Sequence, residues 1–219
     1  SIADQNNINN ILENIIGNCH PTLFNNCDRY MHLRIFVDED VNCNTHDLRT
    51  LYQNAAFGHN SNIYKNPFPV AGFDLFSPTQ IHCPYYNTAT MKCNIACSAR
   101  MIHETGRIFN TGFNIYNRSN TVSNTPLRLA NGVSVIDSGY PGEITALFDC
   151  IPDTNIINNI NNNINFINNN VNVNQENNNV FVVNQYDRLV QICAPGLVPI
   201  YVTIVNNMAE LQEENENST

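Results

Sequence analysis

The sequence is short of positive charge. Lys and Arg total 10 against 19 Asp and Glu over 219 residues, a net charge of −9. A nucleic-acid backbone is bound by clustered cations that displace its counterions, so this balance, with no basic patch expected, argues against nucleic acid as a partner. It does not exclude a nucleotide, which asks for only a few local donors. Long apolar runs are also missing. None approaches the roughly 20 residues of a membrane span, and the start "SIADQNN" lacks the basic-then-apolar character of a secretory signal. No membrane contact and no secretion are expected. Tryptophan is absent, which decides nothing. Among Cys19, Cys27, Cys43, Cys83, Cys93, Cys97, Cys150 and Cys193 there is no C-x2-C doublet. The histidines at 20, 32, 46, 59, 82 and 103 show no ligand spacing either, so a zinc site is not expected. Cys93 and Cys97, placed on one strand, would share a face but lie too far apart along it to bridge easily. A chain this long does not need disulfide staples, and its cysteines read as free core thiols in a reducing compartment.

What is present is asparagine and β-patterned sequence. Residues 1–30 read as an appendage, in which Ile8, Ile11, Leu12, Ile15 and Ile16 form one apolar helical stripe that must pack on something. "MHLRIFV" (Met31 to Val37) alternates as a strand. "THDLRTLYQNAAF" reads as a helix with Thr45 as N-cap and Leu48, Leu51, Tyr52 and Ala55 on one side. Short β-runs follow: "VAGFDLFS", "TMKCNIACSARMI", "GFNIYNRS", "VSVIDSGY", "EITALFDCI", "VFVVNQYDRLVQICA" and "LVPIYVTIV". Many short strands between turn signals indicate an all-β sandwich or jelly roll. The body is expected over 31–205. Within it, residues 154–179 are low-complexity asparagine with interspersed Ile and Val, either a surface insertion or a sticky assembly element. Residues 206–219 read as a frayed acidic tail.

The stretch "NGVSVIDSGYPGEI" (Asn131 to Ile144) sets Asp137 at a strand-to-turn corner. Alone, that aspartate is ordinary turn chemistry, its side chain bonding the backbone two residues on. In company it reads differently. "AGFDLFS" (Ala71 to Ser77), "NRSN" (Asn117 to Asn120), "TPLRLANGVSVIDSGYPGEI" (Thr125 to Ile144) and "YDRLVQI" (Tyr186 to Ile192) occur in this order. Their order and spacing resemble the first four motifs of the dUTPase family, over roughly residues 31–205. "SNTPLRLANGVSVIDSGYPGE" looks most like the dUTPase-related proteins of large DNA viruses that infect protists.

The resemblance implies hydrolysis of dUTP to dUMP and pyrophosphate by a homotrimer, within a dUTPase-like jelly roll. Asp137 would be the base that polarises the attacking water. Asp74 would be the outer-sphere carboxylate near a Mg2+ held mostly by phosphate oxygens and water. Arg118, Ser119, Asn120 and Gln191 would donate to the phosphates, and Asp187 and Arg188 match a pair as much structural as catalytic. Tyr140 would lie on the deoxyribose, and Asn131 with the backbone of 131–136 would read uracil. The first, second and fourth motifs would come from one chain and the Asp137 hairpin from its neighbour.

The sequence also departs from the pattern. Ser134 stands where the family keeps a glycine, and "NRSN", "YPGE" and "YDR" replace "PRSS", "YRGE" and "GDR". Where a Gly-rich arm with an Arg and a Phe is expected, near Leu211 to Ser218, the sequence is "LQEENENST". Loss of such a lid slows turnover. Two functions follow: a weakened dUTP pyrophosphatase, or an inactive dUTPase-fold protein reused as a virion or partner-binding component. In the second, the N-terminal helix and residues 154–179 would touch other virion proteins. Either places the chain in the cytoplasm of an infected cell or in a virion. The glycosylation sequon at Asn117-Arg118-Ser119 has no secretory signal to support it.

Overall fold

A computed structural model of the chain describes residues 21–25, 27–39, 47–152 and 179–212. The N-terminal apolar stripe, Thr45, residues 154–178 of the asparagine-rich stretch and the tail beyond Gln212 lie outside the described residues.

The architecture is all-β, as the alternating runs predict. In chain order the strands are β1 (Arg29–Val37), β2 (Gly72–Phe76), β3 (Ile81–Pro84), β4 (Thr88–Lys92), β5 (Ile95–His103), β6 (Ile108–Asn110), β7 (Phe113–Asn117), β8 (Leu127–Leu129), β9 (Ser134–Ile136), β10 (Thr145–Cys150), β11 (Val180–Val183), β12 (Arg188–Cys193) and β13 (Ile200–Val205). Helices are α1 (Leu48–Lys65), α2 (Ser119–Asn124) and α3 (Ala209–Gln212), with 3-10 turns at Pro21–Asn25 and Pro195–Leu197. One four-stranded sheet runs β13-β1-β5-β6 and another β2-β12-β7-β9, accompanied by a β4-β10-β8 sheet and a β11-β3 pair. Among the described pairings only β1 with β13 is parallel.

Several sequence expectations need correction. "TMKCNIACSARMI" is two strands, not one, because Asn94 takes a left-handed φ of 51° between β4 and β5. Cys93 therefore sits in that break and Cys97 on β5. "VFVVNQYDRLVQICA" likewise breaks at Tyr186, φ 68°. β1 does not alternate: His32 and Arg34 are buried along with Met31, Leu33 and Ile35, because both faces of the strand are covered. The helix does not stop at Phe57. It runs through Gly58 to Lys65 despite a sequence, "GHNSN", of poor helix formers.

Tertiary bonds explain that extension. β13 is an edge strand, and unpaired edges must be covered. Asn60 lays its amide along it, Nδ2 donating to Val202 O (2.8 Å) and Oδ1 accepting from Val202 N (2.9 Å). His59 Nε2 meets Ile200 O at 2.9 Å. The other end of α1 reaches β2, the edge of the second sheet. There the buried Tyr52 hydroxyl accepts from Phe76 N (3.1 Å), and its ring packs edge-on against Phe76. The main core fills the space between, with Leu33, Ile35, Leu75, Met91, Ile115, Phe148 and Val190 fully or nearly fully buried.

Among the described cysteines six are free thiols, five of them buried. Burial pushes the Cys93 thiol up to about 12 and that of Cys150 to about 11. Neither is a thiolate near neutrality.

Part of the acidic tail is ordered. α3 docks by Leu211, packed with Ala96 and Val205, and the buried Arg34 donates to the carbonyls of Glu210 (2.6 Å) and Leu211 (3.3 Å). A guanidinium on the last carbonyls of a helix satisfies groups that have no intrahelical partner. Replacing it with Arg34→Met is expected to cost about 1.5–3 kcal/mol, the range for bonds to charged groups, and to release α3. Native-state hydrogen exchange at residues 209–212 checks this; unchanged protection would mean that Leu211 alone holds the helix.

Candidate active site

The sheet β2-β12-β7-β9 carries the site. On β2, Phe73 and Leu75 point into the core, so Gly72, Asp74 and Phe76 share the opposite face. Register sets Asp74 opposite Gln191 on β12 and Gln191 opposite Tyr116 on β7. The same face thus gathers residues from three of the four sequence motifs. Here lies a cleft of about 1010 Å³. Asp74, Arg118, Ser119, Asn120, Arg188 and Gln191 line its polar part, and Ala55, Gly58, His59, Val70 and Leu197 its more apolar part.

The start of β12 builds this arrangement. Its ladder with β2 shifts between Arg188 and Val190, a bulge that leaves Leu189 without a partner on that side. On the other side, one rung beyond the Val190–Asn117 pair, the Leu189 carbonyl accepts from Arg118 N (3.0 Å) and from Thr121 Oγ1 (2.6 Å), which fixes the start of α2 against β12. Arg118 Nη1 adds a bond to Arg188 O (3.0 Å). Both arginines then converge on one carboxylate. Arg118 Nε lies 2.8 Å from Asp74 Oδ1, and Arg188 Nη1 lies 3.3 Å from Oδ2. Among the described residues, Asp74 is the one acidic group lining the cleft. One carboxylate between two guanidiniums leaves a net positive floor in a chain of net charge −9, so the cleft suits an anion. Arg188, expected to be as much structural as catalytic, stands in this wall.

Gly72 leaves room for the Gln191 side chain. A Cβ at Gly72 would collide with the Gln191 amide, whose Nε2 donates to Asn117 O (3.3 Å). Close by, Asn117 Oδ1 is buried without a partner among the described residues. Ser119 and Asn120 open α2, both exposed where they line the cleft.

Among the described residues, no group of three or more His, Cys, Asp or Glu could hold a metal ion. A lone carboxylate fits Mg2+ nonetheless. That ion keeps its waters and draws on phosphate oxygens, and the two oxygens of Asp74 retain acceptor sites beyond their arginine bonds.

Asp137, Asn131 and Tyr140 are not brought to this cleft within the chain. β9 pairs with β7 at the far edge of the sheet, which sets Asp137 just beyond the Phe113–Ile136 pair, beside Gly112. β12 and β7 stand between β2 and β9, so Asp137 and Asp74 lie at opposite edges of the sheet, beyond the reach of their side chains. The turn itself is well made. Tyr140 N donates to Asp137 O (3.2 Å). Gly139 takes a left-handed φ of 80°, as turns of this kind ask of glycine. The Tyr140 ring lies so close over Gly142 that a Cβ there would collide with it. The expected Asp137 side-chain bond to the turn is not there. Its carboxylate is exposed and has no partner among the described residues. Ser134, in place of the expected glycine, is buried and turned inward, sharing bonds of 3.0 and 3.3 Å with the Asn131 amide.

Sequence reasoning missed the α1 wall. Gly58 and His59 continue the Leu48-Tyr52-Ala55 stripe by helical spacing, but the glycine masked it. His59 is held against Phe73, ring centroids 5.4 Å apart at 87°, and burial lowers its pKa below the ordinary 6.5.

No family model matches the chain, and no curated protein matches it in sequence. Solved structures do resemble it. A dUTPase mutant from phage phi11 of S. aureus, described with a structural Mg(II) ion, shares 20% identity over 63% of this chain and 82% of its own, with a TM-score of 0.39. The native EIAV dUTPase shares 17% over 68% and 87%, TM-score 0.36. A Staphylococcus bacteriophage 80alpha dUTPase mutant with dUpNHpp shares 19% over 67% and 80%, TM-score 0.39.

Two outcomes test the site's construction. Gly72→Ala is expected to displace the Gln191 amide at little cost to the fold, because the atoms met are the end of a flexible side chain; NMR of the Gln191 side-chain amide and denaturant melts read both, and an unmoved amide would contradict it. For His59, the unfolded chain binds a proton more readily than the fold. Its contribution is therefore whole above pH 6.5 and lost as pH falls through the depressed folded value. Thermal melts from slightly alkaline to mildly acidic pH should show a fall that is shallower in His59→Gln; identical slopes would contradict it.

Proposed function

We propose that the chain is a dUTP pyrophosphatase working as a homotrimer, each site combining the Asp74 cleft of one chain with the Asp137 hairpin of another. One observation carries this reading. The anion-suited cleft lacks a free carboxylate, while an exposed, unpartnered one stands at the opposite edge of the same sheet. The segment around that edge strand presents Val133, Val135 and Tyr140 to solvent. The motif order in the sequence supports the same division of labour.

In this mechanism Asp137 takes a proton from a water aimed in line at the α-phosphorus. The new O–P bond forms as the bond to the oxygen bridging to the β-phosphate breaks, giving dUMP and pyrophosphate. Arg118, Arg188, Gln191, Ser119 and Asn120 donate to the phosphate oxygens, where preorganised donors act most strongly. Asp74 holds both guanidiniums in place. Asp74 is the residue that would hold Mg2+ near the phosphates, and the ion would supply charge neutralisation there. Tyr140 covers the deoxyribose, and Asn131, oriented by Ser134, faces the base.

A second reading is favoured by a different observation. Phe57 and Phe68 are 78% and 84% exposed, with Tyr64 and Val70 also open. Such a patch suits a partner-binding protein that has kept the fold without turnover.

Pyrophosphate release from dUTP, with dTTP, dCTP and UTP alongside at millimolar Mg2+, separates the two. Release from dUTP alone, falling about 10²–10⁴-fold in Asp137→Asn as loss of a general base does, with the oligomer unchanged by light scattering, is expected. No release from an intact trimer would favour the binding protein.

A further inference from the structure

A second site lies on the other four-stranded sheet. Register sets Arg29 on β1 directly opposite His103 on β5. The β5–β6 hairpin then turns at Gly106 (φ 83°) and sets His103 against Arg107, His103 N donating to Arg107 O (3.0 Å). Directly opposite residues share a face, so two arginines and a histidine form one row across three adjacent strand ends. Two guanidiniums thus flank one imidazole on a single face, in a chain with only 10 Lys and Arg.

The local relief is slight. Asp28 reaches Arg29 Nη1 only at 3.9 Å, both largely exposed, and the Arg107 guanidinium rests over the Phe109 ring at 5.2 Å. The Phe109 ring also packs beside His103, centroids 5.7 Å apart. The row opens onto its own cleft of about 370 Å³, walled by Thr111, Pro195 and Gly196, with no carboxylate among its described lining residues. None of those residues belongs to the Asp74 cleft.

We propose that this cleft binds a phosphoryl group, free or as the monoester of a small molecule, with Arg29 and Arg107 donating from two sides and His103 between them. Guanidinium forks match phosphate oxygens in geometry as well as charge. The volume admits a small phosphorylated ligand and not a polymer.

Inorganic phosphate is the probe, titrated at constant ionic strength against chloride and followed by thermal melting and by 15N shifts of the arginine side chains. Phosphate at about tenfold its Kd should raise Tm by roughly 4 °C and move the Arg29 and Arg107 resonances. The Tm rise should vanish in Arg29→Gln/Arg107→Gln, and both effects should persist in Arg118→Gln/Arg188→Gln, which disables the other anion-suited cleft. No shift in the wild type, or a shift kept by the first double variant and lost by the second, overturns the proposal. Small phosphate monoesters bound at lower concentration than phosphate itself would place the ligand among monoesters. Phosphate bound more tightly would point to the free anion.

Discussion

Both large sheets depend on the seam that α1 makes between them. Each sheet ends in a strand with unpaired backbone groups, and α1 meets both. Asn60 imitates a neighbouring strand for β13, His59 adds a bond one pair earlier, and Tyr52 answers the exposed amide of Phe76 on β2. A helix rich in Asn and Gly has little intrinsic tendency to form. Here helix and sheet edges stabilise each other, since most helical stability in proteins comes from tertiary packing. The same side of α1 walls the Asp74 cleft, so the geometry of the anion-suited floor is tied to the integrity of the seam.

The floor itself grows from the start of β12. The Leu189 carbonyl holds Arg118 and Thr121 one rung beyond the Val190–Asn117 pair. Arg118 and Arg188 then converge on Asp74 from two different strand ends. Asp74 keeps the like charges of the two arginines side by side. The sheet at Arg29, His103 and Arg107 has no such internal counter-ion among the described residues, and that contrast distinguishes the two clefts.

Much of this was legible in advance, for physical reasons that differ by element. β2 is covered on one side only, so Phe73 and Leu75 alternate with Gly72 and Asp74 and the strand announces itself. β1 is covered on both sides, and the buried His32 and Arg34 hide its pattern. The divisions at Asn94 and Tyr186 could not be seen, because left-handed φ in a non-glycine residue is imposed by the surrounding ladders. The polar side of the cleft was readable as motifs, since its residues sit on β2, on β12 and at the start of α2, where strand register and one helix cap do the assembling. The α1 wall was not, because Gly58 and the asparagines after it deny a helix locally. The inward turn of Ser134 toward Asn131 was also beyond reach: a side chain's direction follows from burial, and burial follows from the fold.

The parallel pairing of β1 with β13 has a consequence for how the molecule is made. Met31 lies beside Ile200 and Phe36 beside Val205, so the first and last described strands are neighbours across nearly the whole described chain. On a ribosome, β1 and β5 can pair early, but the side of β1 that β13 will occupy stays open until β13 emerges. α1 is without the edge it seals for just as long. Closing so long a loop costs entropy that local contacts cannot offset. The nascent chain therefore carries an open, strongly β-forming edge through most of its synthesis. Its paucity of lysine there, and the asparagine-rich stretch that emerges before β13, make this the interval in which the protein is most exposed to pairing with other chains.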